Sequence, residues 1–170
     1  MIDHFNSAAA YRLHPSIPNL IRSLRANKSF ERKVIGIISN SDPRVPWIIR
    51  SLGLGIKAYQ TKAPPTSVAH VQNVPLEADD VPGPHGIVDF LTLSYDVGYE
   101  KPDPLVFKAA FDKAKCVSGT KFSNVQWLKV HVGDDRKKDV EAADQAGWKG
   151  IFWDDGPTAD HELRAYLGSV

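Results

Sequence analysis

The chain has 170 residues with 42% hydrophobic and 24% charged content, and its 21 basic against 20 acidic side chains leave a formal net charge of +1. That balance belongs to a globular protein with one buried core and excludes a fibrous or intrinsically disordered chain. Near-neutrality also removes any general electrostatic drive toward nucleic acid or an anionic membrane, so neither is expected as a partner.

Ile17, Leu20, Ile21 and Leu24 recur at helical spacing behind Ser16, a candidate N-cap, and predict a first helix ending near Asn27. "VIGIIS" (34–39) is apolar on both faces, as in a strand buried within a parallel sheet. Asp42 and Pro43 form a cap and first-turn pair for a helix with Val45, Ile48, Ile49 and Leu52 on one face, closed by Gly53. Residues 57–86 hold five of the twelve prolines and show no sustained period, which predicts a long surface insertion. "IVDFLTL" is the second strand, and the prolines of "SYDVGYEKPDP" defer helix until Pro104, with Leu105, Ala109, Ala110, Phe111 and Ala114 on the buried face. "VQWLKVHV" is the third strand; Asp139 can cap the helix that follows, which Gly147 ends. "GIFWDD" is a fourth strand and "HELRAYL" a closing helix. Strands alternating with helices imply a Rossmann-like open α/β parallel sheet with helices on both faces, in one domain spanning 1–170.

In such a sheet the ligand crevice lies beyond the carboxyl ends of the strands. Three features fall there: Ser39 with Asn40, Lys101 between Glu100 and Pro102, and Asp134 with Asp135. Singly, each has a bland reading as turn residues, a solvated lysine or helix-capping acids. Together they supply a hydroxyl and backbone N–H groups for phosphate oxygens, a lysine to offset their charge, and hard carboxylates for magnesium. Phosphoryl transfer depends mostly on this kind of positioning and charge compensation. Cys116 is the only cysteine, so no intrachain disulfide can form. With no signal peptide and no long apolar run, the chain reads as intracellular, cytoplasmic or nuclear.

The stretches "VIGIISNSD", "GYEKPDPLVFKAA" and "VHVGDDRKKDVEAADQAGW" resemble the second, third and fourth motifs of the haloacid dehalogenase-like hydrolases, in particular their phosphatase-like branch. The resemblance covers about residues 11 to 155, interrupted by the insertion. It implies a magnesium-dependent hydrolase acting on small phosphate esters. Ser39 would hold the phosphoryl group with Asn40, Lys101 would pair with phosphate and nucleophile, and Asp134 would coordinate magnesium with support from Asp139.

The family opens with a hydrophobic strand ending in Asp-x-Asp-x-Thr/Val, which carries the nucleophile and the general acid/base. No such strand precedes Ser16, and Asp154–Asp155 lacks the alternate spacing. The family's cap domain has no counterpart either. The expectation is therefore a truncated core that binds magnesium weakly or not at all and is not itself catalytic, with strand edges left unpaired in mid-sheet and prone to self-association. A non-catalytic binding or regulatory protein that keeps the fold is the alternative. A response-regulator receiver is set aside, because receivers place their acidic pair first and their lysine last, whereas the order here is Ser39, Lys101, Asp134.

Overall fold

The computed structural model describes residues 10–59, 85–119, 125–154 and 157–168. Helix α1 (Ile17–Ala26) forms as predicted, but Ser16 does not cap it: the Ser16 hydroxyl meets His14 Nδ1 at 2.7 Å, and Pro18 supplies the fixed φ of the first turn. Strand β1 (Gly36–Ser39) leads to α2 (Val45–Ser51). That helix starts later than the Asp42–Pro43 pair suggests, because Asp42 accepts from the Arg44 N–H at 2.9 Å and from its guanidinium, holding a turn ahead of the helix. Strand β2 (Gly55–Ala58) was not expected, and it absorbs Lys57 and Ala58, the first two residues assigned to the insertion. Residues 60–84, the bulk of that insertion, lie outside the described residues, as does Asp155.

Strand β3 (Ile87–Leu93) is followed by a single turn, α3 (Ser94–Val97), closed by Gly98 at φ 78°, so helix does form ahead of the prolines. In α4 (Pro104–Ser118) Asp103 is the cap, accepting from the Leu105 N–H at 2.9 Å. The buried face is Val106, Phe107, Ala110 and Ala114; Leu105, expected inside, is 42% exposed because the face begins one residue later. Strand β4 (Val130–Gly133), a π-helical turn (Arg136–Glu141), α5 (Ala142–Gln145), β5 (Lys149–Phe152) and α6 (Pro157–Gly168) complete the chain.

All strand pairs are parallel, giving a Rossmann-like α/β architecture. The pairing is divided into two half-sheets, ordered β1-β3-β2 and β4-β5. Gly36 to Ser39 lie opposite Phe90 to Leu93, and Val130 to Gly133 opposite Lys149 to Phe152. Among the described residues, β1 and β4 thus each have one neighbour, and the interruption falls between them, where the family resemblance places a strand. On one side Ile21, Ile49, Leu54, Ile56, Val88 and Leu91 pack together. A smaller group, Leu20 of α1, Ile151 of β5 and Leu163 of α6, packs with Val130 and Val132. Ile17 of α1 touches both groups. Phe90, Ile38 and the buried stripe of α4 and α5 form a further core. Arg25 pins α1 to the central strand, its guanidinium 2.6 Å from the buried Asp89 carboxylate. Among the described residues no helix is long and apolar enough to cross a membrane.

Candidate active site

Beyond the carboxyl ends of β1 and β4 the chain assembles a small polar cluster around Lys101. The Asn40 side chain, one residue past β1, clamps the lysine's backbone from both sides: its Oδ1 accepts from the Lys101 N–H at 2.7 Å and its Nδ2 donates to the Lys101 carbonyl at 2.8 Å. The peptide between Lys101 and Pro102 is cis. Held in this way, the Lys101 ammonium forms an ion pair with Asp139, on the π-helical turn after β4. One lysine therefore fastens the ends of both half-sheets.

Asp139 is 3% exposed and fully engaged. Its Oδ1 accepts from Lys101 and, at 3.0 Å, from His131 Nε2; its Oδ2 accepts from the Asp135 N–H at 3.0 Å. An ionised carboxylate only accepts hydrogen bonds, so His131 must carry its proton on Nε2. Burial by itself would raise the Asp139 carboxyl, but the His131, Lys101 and Asp135 hydrogen bonds outweigh it and hold the group well below the usual carboxylate range. Gly133 makes the close approach possible: a Cβ there would stand 2.3 Å from the Asp139 Cγ. The ring of Phe107 packs edge-on against His131, with centroids 5.2 Å apart.

Asp139 therefore does not cap the helix. Asp135 does, accepting from the Lys137 and Lys138 N–H groups at 2.9 and 2.8 Å. A cap must sit outside the helix in extended backbone, which Asp135 does at φ −102° and ψ 113°, whereas Asp139 lies within the turn. Ser39 ends β1, and its hydroxyl lies 2.7 Å from the Ser41 hydroxyl. Asp134 is exposed at the end of β4. The structure thus joins Asn40, Lys101 and Asp139 by direct contacts and leaves Ser39 and Asp134 outside that network. His131 was missed in the sequence; its signal is the "VHV" alternation, which turns a lone imidazole to the side opposite Val130 and Val132, two residues before "GDD".

Among the described residues no group of three His, Cys, Asp or Glu side chains gathers where one metal ion could be held. Asp139 does not fit as a direct magnesium ligand while both its oxygens serve Lys101, His131 and Asp135. Asp134 fits as a single carboxylate ligand, and magnesium commonly keeps several waters beside one or two carboxylates. A neighbouring open hollow of about 550 Å³ carries Glu100, Asp103 and Glu141 against Lys137, a charge balance unsuited to a phosphate.

The family model described as HAD-hydrolase-like matches residues 98–168, a span that contains Lys101, His131, Asp134 and Asp139. A Schizosaccharomyces pombe protein named as an uncharacterized hydrolase is 28% identical over 151 residues, 89% of this chain and 51% of its own length. The chain belongs to the haloacid dehalogenase-like hydrolases. An uncharacterized Saccharomyces cerevisiae protein is 29% identical over 143 residues, 81% of this chain and 38% of the relative. The rhythmically expressed gene 2 protein of Drosophila melanogaster is 30% identical over 129 residues, 76% of this chain and 36% of the relative. This haloacid dehalogenase-like chain thus spans about half the length of one relative and little over a third of the other two.

Proposed function

We propose that this chain is the core of a magnesium-dependent hydrolase of small phosphate esters, and that these 170 residues hold a phosphate without cleaving it. The observation that carries the reading is the Lys101–Asp139 pair, because it sets a partly buried cation at the carboxyl ends of the strands, where an α/β sheet receives its ligand. An ammonium has three N–H donors, and Asp139 takes one, leaving the others to a phosphate oxygen. The Ser39 hydroxyl is a second donor for the same ligand, and Asp134 a carboxylate for the cation that would neutralise it. A metal at that place would offset charge on the phosphoryl oxygens. The remaining requirements are a carboxylate to attack phosphorus and an acid to protonate the leaving group. The 170 residues contain no Asp-x-Asp pair to meet them. Asp139, held ionised, has no proton to give a leaving group, and its hydrogen bonds from Lys101, His131 and Asp135 keep it buried as a support for the lysine.

Hydrolysis of p-nitrophenyl phosphate with magnesium tests the proposal, with Asp134→Asn run in parallel. Both proteins should stay at the background rate. Inorganic phosphate should raise the melting midpoint of the parent chain and leave that of Lys101→Met unmoved. Turnover that disappears in Asp134→Asn would show a complete active site and overturn the proposal, as would a phosphate effect that survives loss of the lysine.

A further inference from the structure

Arg136 opens the π-helical turn after β4, and its guanidinium carbon lies 4.0 Å from the centre of the Phe152 ring. Phe152 ends β5 and stands opposite Gly133 in the register, so the two positions share one face of the half-sheet. From that face Asp139 approaches Gly133, and the Val140 backbone approaches Gly150, two residues before Phe152. The Arg136 guanidinium therefore stands on the same face and at the same end of the sheet as the Lys101–Asp139 pair, displaced outward by one strand, roughly 5 Å.

The surroundings set Arg136 apart from the two lysines that follow it. Cations in the first turn of a helix oppose its macrodipole, so helix stability does not account for Arg136, Lys137 and Lys138 in succession there. Lys137 lies with Glu100, Asp103 and Glu141 in the acidic hollow, and Lys138 is exposed. Arg136 rests on an aromatic ring instead. Such a ring holds a guanidinium in place and accepts none of its five N–H donors in a normal hydrogen bond. The nearest acid in sequence is engaged elsewhere, since Asp135 accepts from the Lys137 and Lys138 N–H groups. Among the described residues no carboxylate forms an ion pair with Arg136.

We propose that Arg136 is a specificity-determining residue of the phosphate site, and that it receives a second anionic group, carboxylate or phosphoryl, carried on the leaving-group side of the ester. The guanidinium fork meets either group with two parallel N–H···O bonds, which a lysine cannot do. The substrate class is then a phosphate monoester with a further negative charge at the end of a short spacer. The inference rests on the reading of Lys101 as the holder of the first phosphate.

The probes are inorganic phosphate, propyl phosphate, carboxyalkyl phosphates with spacers of two to four methylenes, and propane-1,3-diyl bisphosphate, each titrated calorimetrically into the full chain. The best-fitting dianionic ester should bind about three- to fivefold more tightly than propyl phosphate, the size of effect a well-aligned exposed charge pair gives. A gain for the carboxylates or for the bisphosphate supports the assignment, and the larger of the two names the group. Arg136→Gln should abolish the gain and leave propyl phosphate binding unchanged, and Arg136→Lys should keep only part of it. Phe152→Leu, which removes the ring beneath the guanidinium, should reduce it; the exposed Arg136 variants carry the test if that one folds poorly. Lys138→Gln removes the same charge nearby and should leave the gain intact, which separates a directed contact from general attraction. Equal binding of propyl phosphate and every dianionic ester, a gain that survives Arg136→Gln, or one that vanishes in Lys138→Gln would overturn the assignment and leave phosphate binding at Lys101 standing. Failure of inorganic phosphate and of every ester to bind would overturn the reading of the phosphate site, and this inference with it.

Discussion

Replacing Asp139 with asparagine keeps the side chain's shape and removes its charge, which isolates the electrostatic role of the pair with Lys101. The carboxylate accepts from three donors, Lys101, His131 and the Asp135 N–H, and an amide keeps one oxygen while directing an N–H₂ at groups that already donate. Hydrogen bonds to charged groups contribute about 1.5–3 kcal/mol each, and breaking a buried ion pair costs about 3–5 kcal/mol because the partner charge stays behind. The Lys101 side chain is 13% exposed, so its ammonium can regain some water, and the loss should sit near the lower end, about 3 kcal/mol. At roughly 2–4 °C per kcal/mol for a domain of this size, the melting midpoint should fall by about 6–12 °C. Lys101→Met should cost less, since His131 still donates to Asp139. Urea titrations of both single variants and the double variant give the coupling, which should exceed about 1 kcal/mol. A loss under about 1 kcal/mol for Asp139→Asn, or strict additivity in the double variant, would refute the view that this pair joins the half-sheets.

The depressed Asp139 carboxyl also predicts acid behaviour. A group whose pKa falls on folding contributes stability that is complete above its unfolded value, about 4, and is lost as pH drops toward the native one. The stability of the parent chain should therefore decline more steeply below about pH 4 than that of Asp139→Asn, as read from urea midpoints across pH; parallel curves would contradict the assignment. Gly133→Ala should lower stability by about 1–3 kcal/mol, because its Cβ would overlap the Asp139 carboxyl. In a thermal melt, a midpoint equal to that of the parent would show that the approach is not tight.

Four of the five strands were legible because each carries a run of β-branched residues or ends at a glycine or acid that marks the turn. Strand β2 was not. "GIKA" opens on glycine and runs into the proline-rich stretch, and only its pairing with β3 and the burial of Ile56 to 1% exposure make it a strand. The membership of the site was half legible. Lys101 stood out by its setting between Glu100 and Pro102, but the clamp of its backbone by Asn40 depends on contacts 61 residues apart that no local pattern encodes. Asp139 was read as a cap because an acid near a helix start usually is one. The choice between Asp135 and Asp139 rests on a single turn of backbone, and the smallness of Gly133 decides which acid goes inward.

Because Lys101 is tied by its backbone to the end of β1 and by its ammonium to the turn after β4, it couples the spacing of the half-sheets to the state of one ion pair. Anything that binds between β1 and β4 and prefers one spacing must change the affinity of Lys101 for Asp139, and for any anion competing for its N–H groups. The same factor must operate in reverse, since linkage between two binding events is reciprocal. A ligand that alters that spacing and an anion at Lys101 would then be mutual effectors, connected through one side chain.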